Sequence, residues 1–205
     1  MPVWVTDSRF PGYLGPAQPY PPDDDELVDI LHDVIAGVTG LSPALVRPSW
    51  QPESPNIPDI NVNWCGFGTS GESFDWMPAI EHIGDGDGHD ELHRNIESVI
   101  HVTFYGPNAA RYAALLRDGL FIEQNAANLR AMSMAVVEVQ EFILTPELFR
   151  DDRWYNRADL DFTIRREVVR RYEVLNILKA EGTVMANPPG ADHTVDVDWD
   201  TDNHR

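Results

Sequence analysis

Proline dictates where this chain can be regular. Six of its 16 prolines fall at Pro2, Pro11, Pro16, Pro19, Pro21 and Pro22, and five more at Pro43, Pro48, Pro52, Pro55 and Pro58. Each removes a backbone donor, fixes φ and restricts the residue before it. No regular element is therefore expected in residues 1–22 or 42–60. The first stretch reads as an extended arm. Trp4, Phe10, Tyr13 and Tyr20 within it are poor choices for a solvated tail, because large rings gain by burial. The arm is expected to dock on a neighbour.

Between the two proline-rich stretches the pattern is helical. Asp23, Asp24, Asp25 and Glu26 put negative charge at the positive end of a helix dipole and offer an aspartate as cap. Leu27, Ile30, Leu31, Val34, Ile35 and Val38 follow at spacings of three and four, an apolar stripe that must face a core. Gly37 and Gly40 supply the stop.

From Ile60 the period becomes two. Ile60, Val62, Trp64 and Gly66 alternate with Asn61, Asn63, Cys65 and Phe67, which predicts a strand. Residues 73–83 continue or partner it, residues 84–90 are turn chemistry (Gly-Asp-Gly-Asp-Gly-His-Asp), and residues 95–105 return as the next strand. The result is a long hairpin with an acidic tip. Pro107 and Asn108 begin a second helix, with Tyr112, Leu115, Leu116 and Leu120 as its buried stripe. A short helix is expected around residues 126–132. Strands should follow at 134–144 and 158–175, with a turn over 150–157 between them.

This order predicts an α+β fold, an antiparallel β-sheet with long hairpins packed against two to three helices. The expected organisation is an extended Pro-rich arm over 1–22, a single domain over 23–186, and a disordered acidic tail over 187–205, where Asp192, Asp196, Asp198, Asp200 and Asp202 fall.

Charge narrows the partners. The net charge is -19, which argues against gripping a nucleic-acid backbone, since duplex binding depends on Lys and Arg displacing counterions. It is compatible with DNA passing nearby, because an acidic wall repels phosphate and keeps it mobile. Lys179 is the sole lysine, and the remaining positive side chains are arginines, suited to fixed bidentate contacts with carboxylates. No apolar run is long enough to span a bilayer. The lone Cys65 excludes an intramolecular disulfide, and the start lacks the plan of a secretory signal, so cytoplasmic folding is expected.

The candidate chemistry is thin. Counted from Asp85, the sixth and twelfth positions of a calcium loop would be Asp90 and Ile96, which are the wrong residues. His89-Asp90-Glu91-Leu92-His93 has Asp where the zinc motif needs Glu, after a glycine run that favours a loop. There is no nucleophile elbow, P-loop or dinucleotide fingerprint. Cys65 beside Trp64 reads as a packed strand residue. Neither catalytic residues nor a metal or cofactor site are expected.

The most unusual stretch is residues 164–173, Ile-Arg-Arg-Glu-Val-Val-Arg-Arg-Tyr-Glu. As a strand it puts charge on both faces, unlike an ordinary half-buried strand. Acidic partners for the second face could come from an adjacent copy. Arg165, Arg166, Arg170, Arg171 and Tyr172, with Trp4, Phe10 and Tyr13 of the arm, are the expected subunit or partner interface.

Several runs together are similar to phage neck terminator proteins. They include Asp23-Asp24-Asp25-Glu26-Leu27 with Ile35-Ala36-Gly37-Val38-Thr39-Gly40-Leu41, and Arg47-Pro48-Ser49-Trp50-Gln51-Pro52. Phe104-Tyr105-Gly106-Pro107-Asn108-Ala109, Arg165-Arg166-Glu167-Val168 and Tyr172-Glu173-Val174-Leu175-Asn176 complete them. The resemblance covers roughly residues 23–180 and leaves the arm and the tail outside. It implies a virion protein at the top of the tail, made in the host cytoplasm. Such a protein forms a ring, usually a hexamer, that caps the tail tube and joins it to the head-closure or adaptor protein, with genomic DNA passing through unbound. A closed head-to-tail ring needs two different complementary patches on each subunit. The strand 160–175 and the hairpin 60–105 are expected to supply them, by strand addition between copies. Exchanging Arg166 and Arg170 for glutamate is then expected to leave a folded protein that no longer assembles. Another connector such as a head-closing stopper, an acidic DNA-mimic inhibitor and a small enzyme with scattered polar residues are the competing readings.

Overall fold

The computed structural model describes residues 3–51, 56–149, 153–177, 179–186 and 193–200. In chain order, Trp4–Val5 (β1) and Tyr13–Leu14 (β2) precede helix Asp24–Thr39 (α1), a single 3₁₀ turn at Pro43–Leu45 and Val46–Pro48 (β3). The hairpin region comprises Trp64–Phe74 (β4), Ala79–Ile83 (β5) and His89–Tyr105 (β6). Ala109–Gly119 (α2) and Glu123–Ala131 (α3) follow, then Met134–Val139 (β7), Ile143–Leu144 (β8), Glu147–Phe149 (β9), Arg153–Tyr155 (β10) and Arg157–Tyr172 (β11). Lys179–Ala186 (β12) and His193–Asp200 (β13) complete the elements.

Helix α1 forms where its periodicity predicts it. Leu27, Leu31, Ile35 and Ala36 are buried. Gly40 ends the helix at φ 71°, its N–H donating to Ala36 O at 2.9 Å, a left-handed conformation that glycine adopts without Cβ strain. Gly37 is helical rather than part of the stop. Asp23 occupies the cap position but makes no capping bond. Its carboxylate is used elsewhere.

The main sheet has seven strands in the order β3-β4-β6-β11-β7, with β5 added on β6 and β8 on β11. All described pairings in it are antiparallel except β3 with β4. Alternation places Cys65 and Phe67, Ile100, Val102 and Phe104, and Ala158, Leu160, Phe162 and Ile164 on one buried face. The helices cover that face through Leu31, Ile35, Ala113, Leu116 and Leu129. Burying a side chain such as Phe67, Phe104 or Phe162 contributes about 1.5–3 kcal/mol each.

Several boundaries differ from those expected. An Asp59 turn occupies the start of the predicted first strand, with Asn61 N–H donating to Asp59 Oδ1 at 3.1 Å, so β4 begins at Trp64. The second proline-rich stretch holds a strand after all, but β3 is three residues long and lies at the sheet's edge, where proline is tolerated. In α2 the buried positions are Ala109, Ala113 and Leu116, which leaves Leu115 40% exposed. Its neighbour Leu116 takes the inward position, and adjacent helical residues do not share a face. The turn expected over 150–157 instead contains β10, paired with β9; residues 150–152 lie outside the described residues.

Contacts divide the chain into two compact units. The larger comprises residues 19–79 and 92–170 and holds the hydrophobic core. The smaller comprises residues 1–18, 80–91 and 171–205. In the smaller unit β1 and β2 pair in parallel, and the arm is tied to its own chain. Ser8 N–H donates to Glu173 O at 2.9 Å, Ala17 N–H to Arg171 O at 2.7 Å, and Leu175 N–H to Ser8 Oγ at 2.9 Å. The chain's acidic end, expected to be flexible, contains β13, paired antiparallel with β12. Its Val195, Val197 and Trp199 alternate with Asp196, Asp198 and Asp200, the period of a strand despite the charge. Residues 187–192 and 201–205 of that expected tail lie outside the described residues.

Candidate assembly interface

The arginine-rich strand is β11, and its alternation sorts the arginines into two classes. Arg166 lies on the inner face, only 6% of its side chain exposed. It donates from Nη1 to Pro22 O at 2.6 Å and from Nη2 to Asp23 Oδ1 at 2.9 Å. Arg170, four residues on and on the same face, donates from Nη2 to Asp23 Oδ2 at 2.8 Å. Asp23 thus bridges two guanidinium groups and fastens the start of α1 to the sheet. Both arginines were expected to find acidic partners on an adjacent copy; Asp23 already supplies one within the chain, and for the buried Arg166 that pairing is obligatory.

Strand addition is restricted along β11 as far as Arg166. β11 is flanked by β6 on one side and by β7 and β8 on the other, so the paired part of the strand has no free edge.

Arg165 and Arg171 point outward. Arg165 Nη1 lies 3.9 Å from Glu97 Oε1, and Arg171 Nε donates to Glu173 Oε1 at 2.8 Å. Tyr172 is half-buried at the end of the strand. In the arm, Trp4, Phe10 and Tyr13 remain 68%, 59% and 72% exposed. Backbone hydrogen bonds hold the arm while its aromatic rings face solvent.

The outer face of the larger unit carries a polar network that the sequence reading missed. His101 Nδ1 contacts Asp161 Oδ1. His101 Nε2 lies 3.0 Å from Thr103 Oγ1. Thr103 Oγ1 donates to Asp159 Oδ1 at 2.8 Å, which also accepts from Arg157 Nε at 2.8 Å. The alternation of Arg157, Asp159 and Asp161 with Ala158, Leu160 and Phe162 was the available signal. Linking them to His101 requires knowing that β6 and β11 are neighbours.

The side chains tested for chemistry are in structural use. Cys65 is fully buried, and burial pushes its thiol up to about 12, far from a thiolate nucleophile at neutral pH. His89 and His93 lie on strand β6, not one helical turn apart. His93 Nδ1 contacts Glu167 Oε1 at 3.0 Å. Among the described residues, no group of three or more His, Cys, Asp or Glu is arranged to hold a metal ion.

A large apolar exposure that no local pattern announced lies at the end of β4 and in its connection to β5. Phe74 is 59% exposed, Trp76 89% and Met77 79%. Exposed apolar side chains grouped in this way mark interaction sites on soluble proteins.

A family model described as phage neck terminator protein matches residues 25–187, a span that takes in α1 from its second residue, α2, α3 and the whole seven-stranded sheet, and leaves β1 and β2 outside. No curated protein matches the chain.

Proposed function

The chain belongs to the phage neck terminator family, and we propose from that membership that it forms a ring, a hexamer, which ends the tail tube. It is a structural protein of the virion's tail neck. In the proposed arrangement one side of the ring meets the tail tube protein and the other the head-closure or adaptor protein. Folding takes place in the host cytoplasm before assembly, and genomic DNA crosses the ring without specific binding.

The observation that carries this reading is the extent of the family match, which covers the folded core rather than a fragment of it. Two features support it. The net charge of -19 repels a polyanion and so favours passage over capture. The exposed arm rings, Trp4, Phe10 and Tyr13, with Arg165 in the middle of β11 and Arg171 and Tyr172 at its end, offer aromatic and arginine side chains, the types enriched at protein interfaces. These six residues form the proposed contact with a neighbouring subunit or neck protein.

Light scattering of the purified protein over a range of concentration and salt tests the ring. A mass near six subunits, with rings visible by electron microscopy, is the expected result. Association only with tail-tube protein would restrict ring closure to the tube, and a monomer in both settings would overturn the reading.

A further inference from the structure

We propose that the β4–β5 connection of one copy inserts into a helix-lined socket on the next copy, a head-to-tail contact in which Trp76 and Met77 are the knob. The inference rests on the reading that copies of this chain assemble, and it names the surfaces that would join them.

The knob is built to hold its shape. Asp75 N–H donates to Asn95 O at 3.1 Å, and the Asp75 carboxylate accepts from Asn95 Nδ2 at 2.9 Å. That hydrogen bond holds the Asp75 carboxyl below its ordinary range, so the anchor is charged and acceptor-competent at neutral pH. Beside it, the Arg94 guanidinium sits 5.2 Å from the centre of the Phe74 ring, a cation–π contact. Between these anchors, Trp76 and Met77 project with no cover of their own. A projection fixed before contact loses little freedom on docking. Its Trp, Met, Phe and Arg are the residue types that dominate interface cores.

The socket lies in the same unit, on the helix layer. It is a cavity of about 440 Å³ lined by Ile30, Val34, Val38, Leu129 and Met132, with Asp33 at its rim. Its walls are mainly apolar, with Asn125 and Asn128 among the lining residues, and the Asp33 side chain, which also meets His32 Nδ1 at 3.1 Å, is 86% exposed. Arg94 beside the knob and Asp33 beside the socket are opposite charges flanking an apolar plug and an apolar hole. Trp76 is 89% exposed, so a chain does not fill its own socket. Knob and socket are different surfaces of one chain, and such a contact propagates head to tail and closes into a ring when its rotation permits. A second copy is the occupant the charges favour, because Arg94 and Asp33 are both already present on this chain.

The test separates this contact from assembly as such. Trp76→Ala with Met77→Ala removes the knob, and Val34→Arg blocks the socket. Each variant's fold is checked by circular dichroism, and association is followed by sedimentation. Each alone is expected to weaken self-association at least about tenfold, yet an equimolar mixture should form one-to-one heterodimers, since each retains the surface the other lacks. As a second measurement, Arg94→Asp and Asp33→Arg should each weaken association, and the two together should restore it. Wild-type assembly that survives both the knob and socket changes, or a mixture that stays monomeric, would overturn this contact and leave the ring reading standing. A wild type that never associates, with itself or on tail tubes, would overturn both.

Discussion

Arg166 Nη2 donates to Asp23 Oδ1 at 2.9 Å across 143 residues of sequence, and Arg170 closes on the other oxygen of the same carboxylate at 2.8 Å. Removing the carboxylate leaves a buried guanidinium without its anion. Asp23→Ala is therefore expected to destabilise the protein by about 2–3 kcal/mol, below the figure for a wholly buried pair because Asp23 is partly exposed. Urea denaturation reads this as a lower midpoint with an unchanged slope. Exchanging Arg166 and Arg170 together for glutamate sets three carboxylates against one another. The expected product is an unfolded chain rather than a folded one that fails to assemble.

A different constraint acts at Gly106. Its φ is +107°, and a Cβ there would sit 2.6 Å from Val62 O and 2.9 Å from Asn63 Cα. Both neighbours are backbone, so neither can give way cheaply. Gly106→Ala should cost about 2 kcal/mol or more, seen as a fall in melting temperature; an unchanged melting temperature would show that the turn relaxes.

His82 makes the acidic tip sensitive to pH. Its Nδ1 lies 2.6 Å from Asp90 Oδ1 and its Nε2 2.8 Å from Asn176 Oδ1. Asn176 Nδ2 donates to Gly84 O and Gly86 O, which turns its carbonyl oxygen toward the imidazole. Two acceptors require both ring nitrogens to donate, so the protonated ring fits best. Asp90 first, and Asn176 second, raise the His82 pKa above its ordinary value. The tie is fully present below the unfolded pKa of about 6.5 and is lost as pH rises through the raised folded value. In an NMR titration Asp90→Asn should bring the His82 midpoint down; an unmoved midpoint would contradict the pairing.

Cys65 supplies a probe of global opening. It is fully buried and its thiol is pushed up to about 12, so a thiol reagent should label it only through unfolding. The labelling rate is expected to rise with urea in step with the unfolding equilibrium. Fast labelling of the native protein would mean that the sheet opens locally near β4.

Periodic elements were legible in the sequence. Helix α1 and the inner faces of β6 and β11 follow from where apolar residues recur, because burial of one face imposes that spacing. Arg166 was not legible as a core residue. An arginine at an inward position reads as exposed charge until Asp23 is known to stand opposite it. β13 was hidden for a related reason, its alternation masked by aspartates that composition assigns to a tail. The His101–Asp161 contact and the anchoring of Asp75 by Asn95 depend on which strands are neighbours, information held in the topology rather than in any local window. Of the expected interface residues, the arm aromatics, Arg165 and Arg171 are exposed, whereas Arg166 and Arg170 are paired with Asp23.

The lock at Asp23 also sets an order of events during synthesis. Helix α1 leaves the ribosome early, but the guanidinium groups that secure its first turn are 143 and 147 residues away. They lie on β11, between β6 and β7. Contacts of such long sequence separation form late, since loop closure must be met before they contribute. A nascent or truncated chain ending before β11 therefore presents α1 with its start unfastened, and only a chain that has emerged almost whole can close its helix layer.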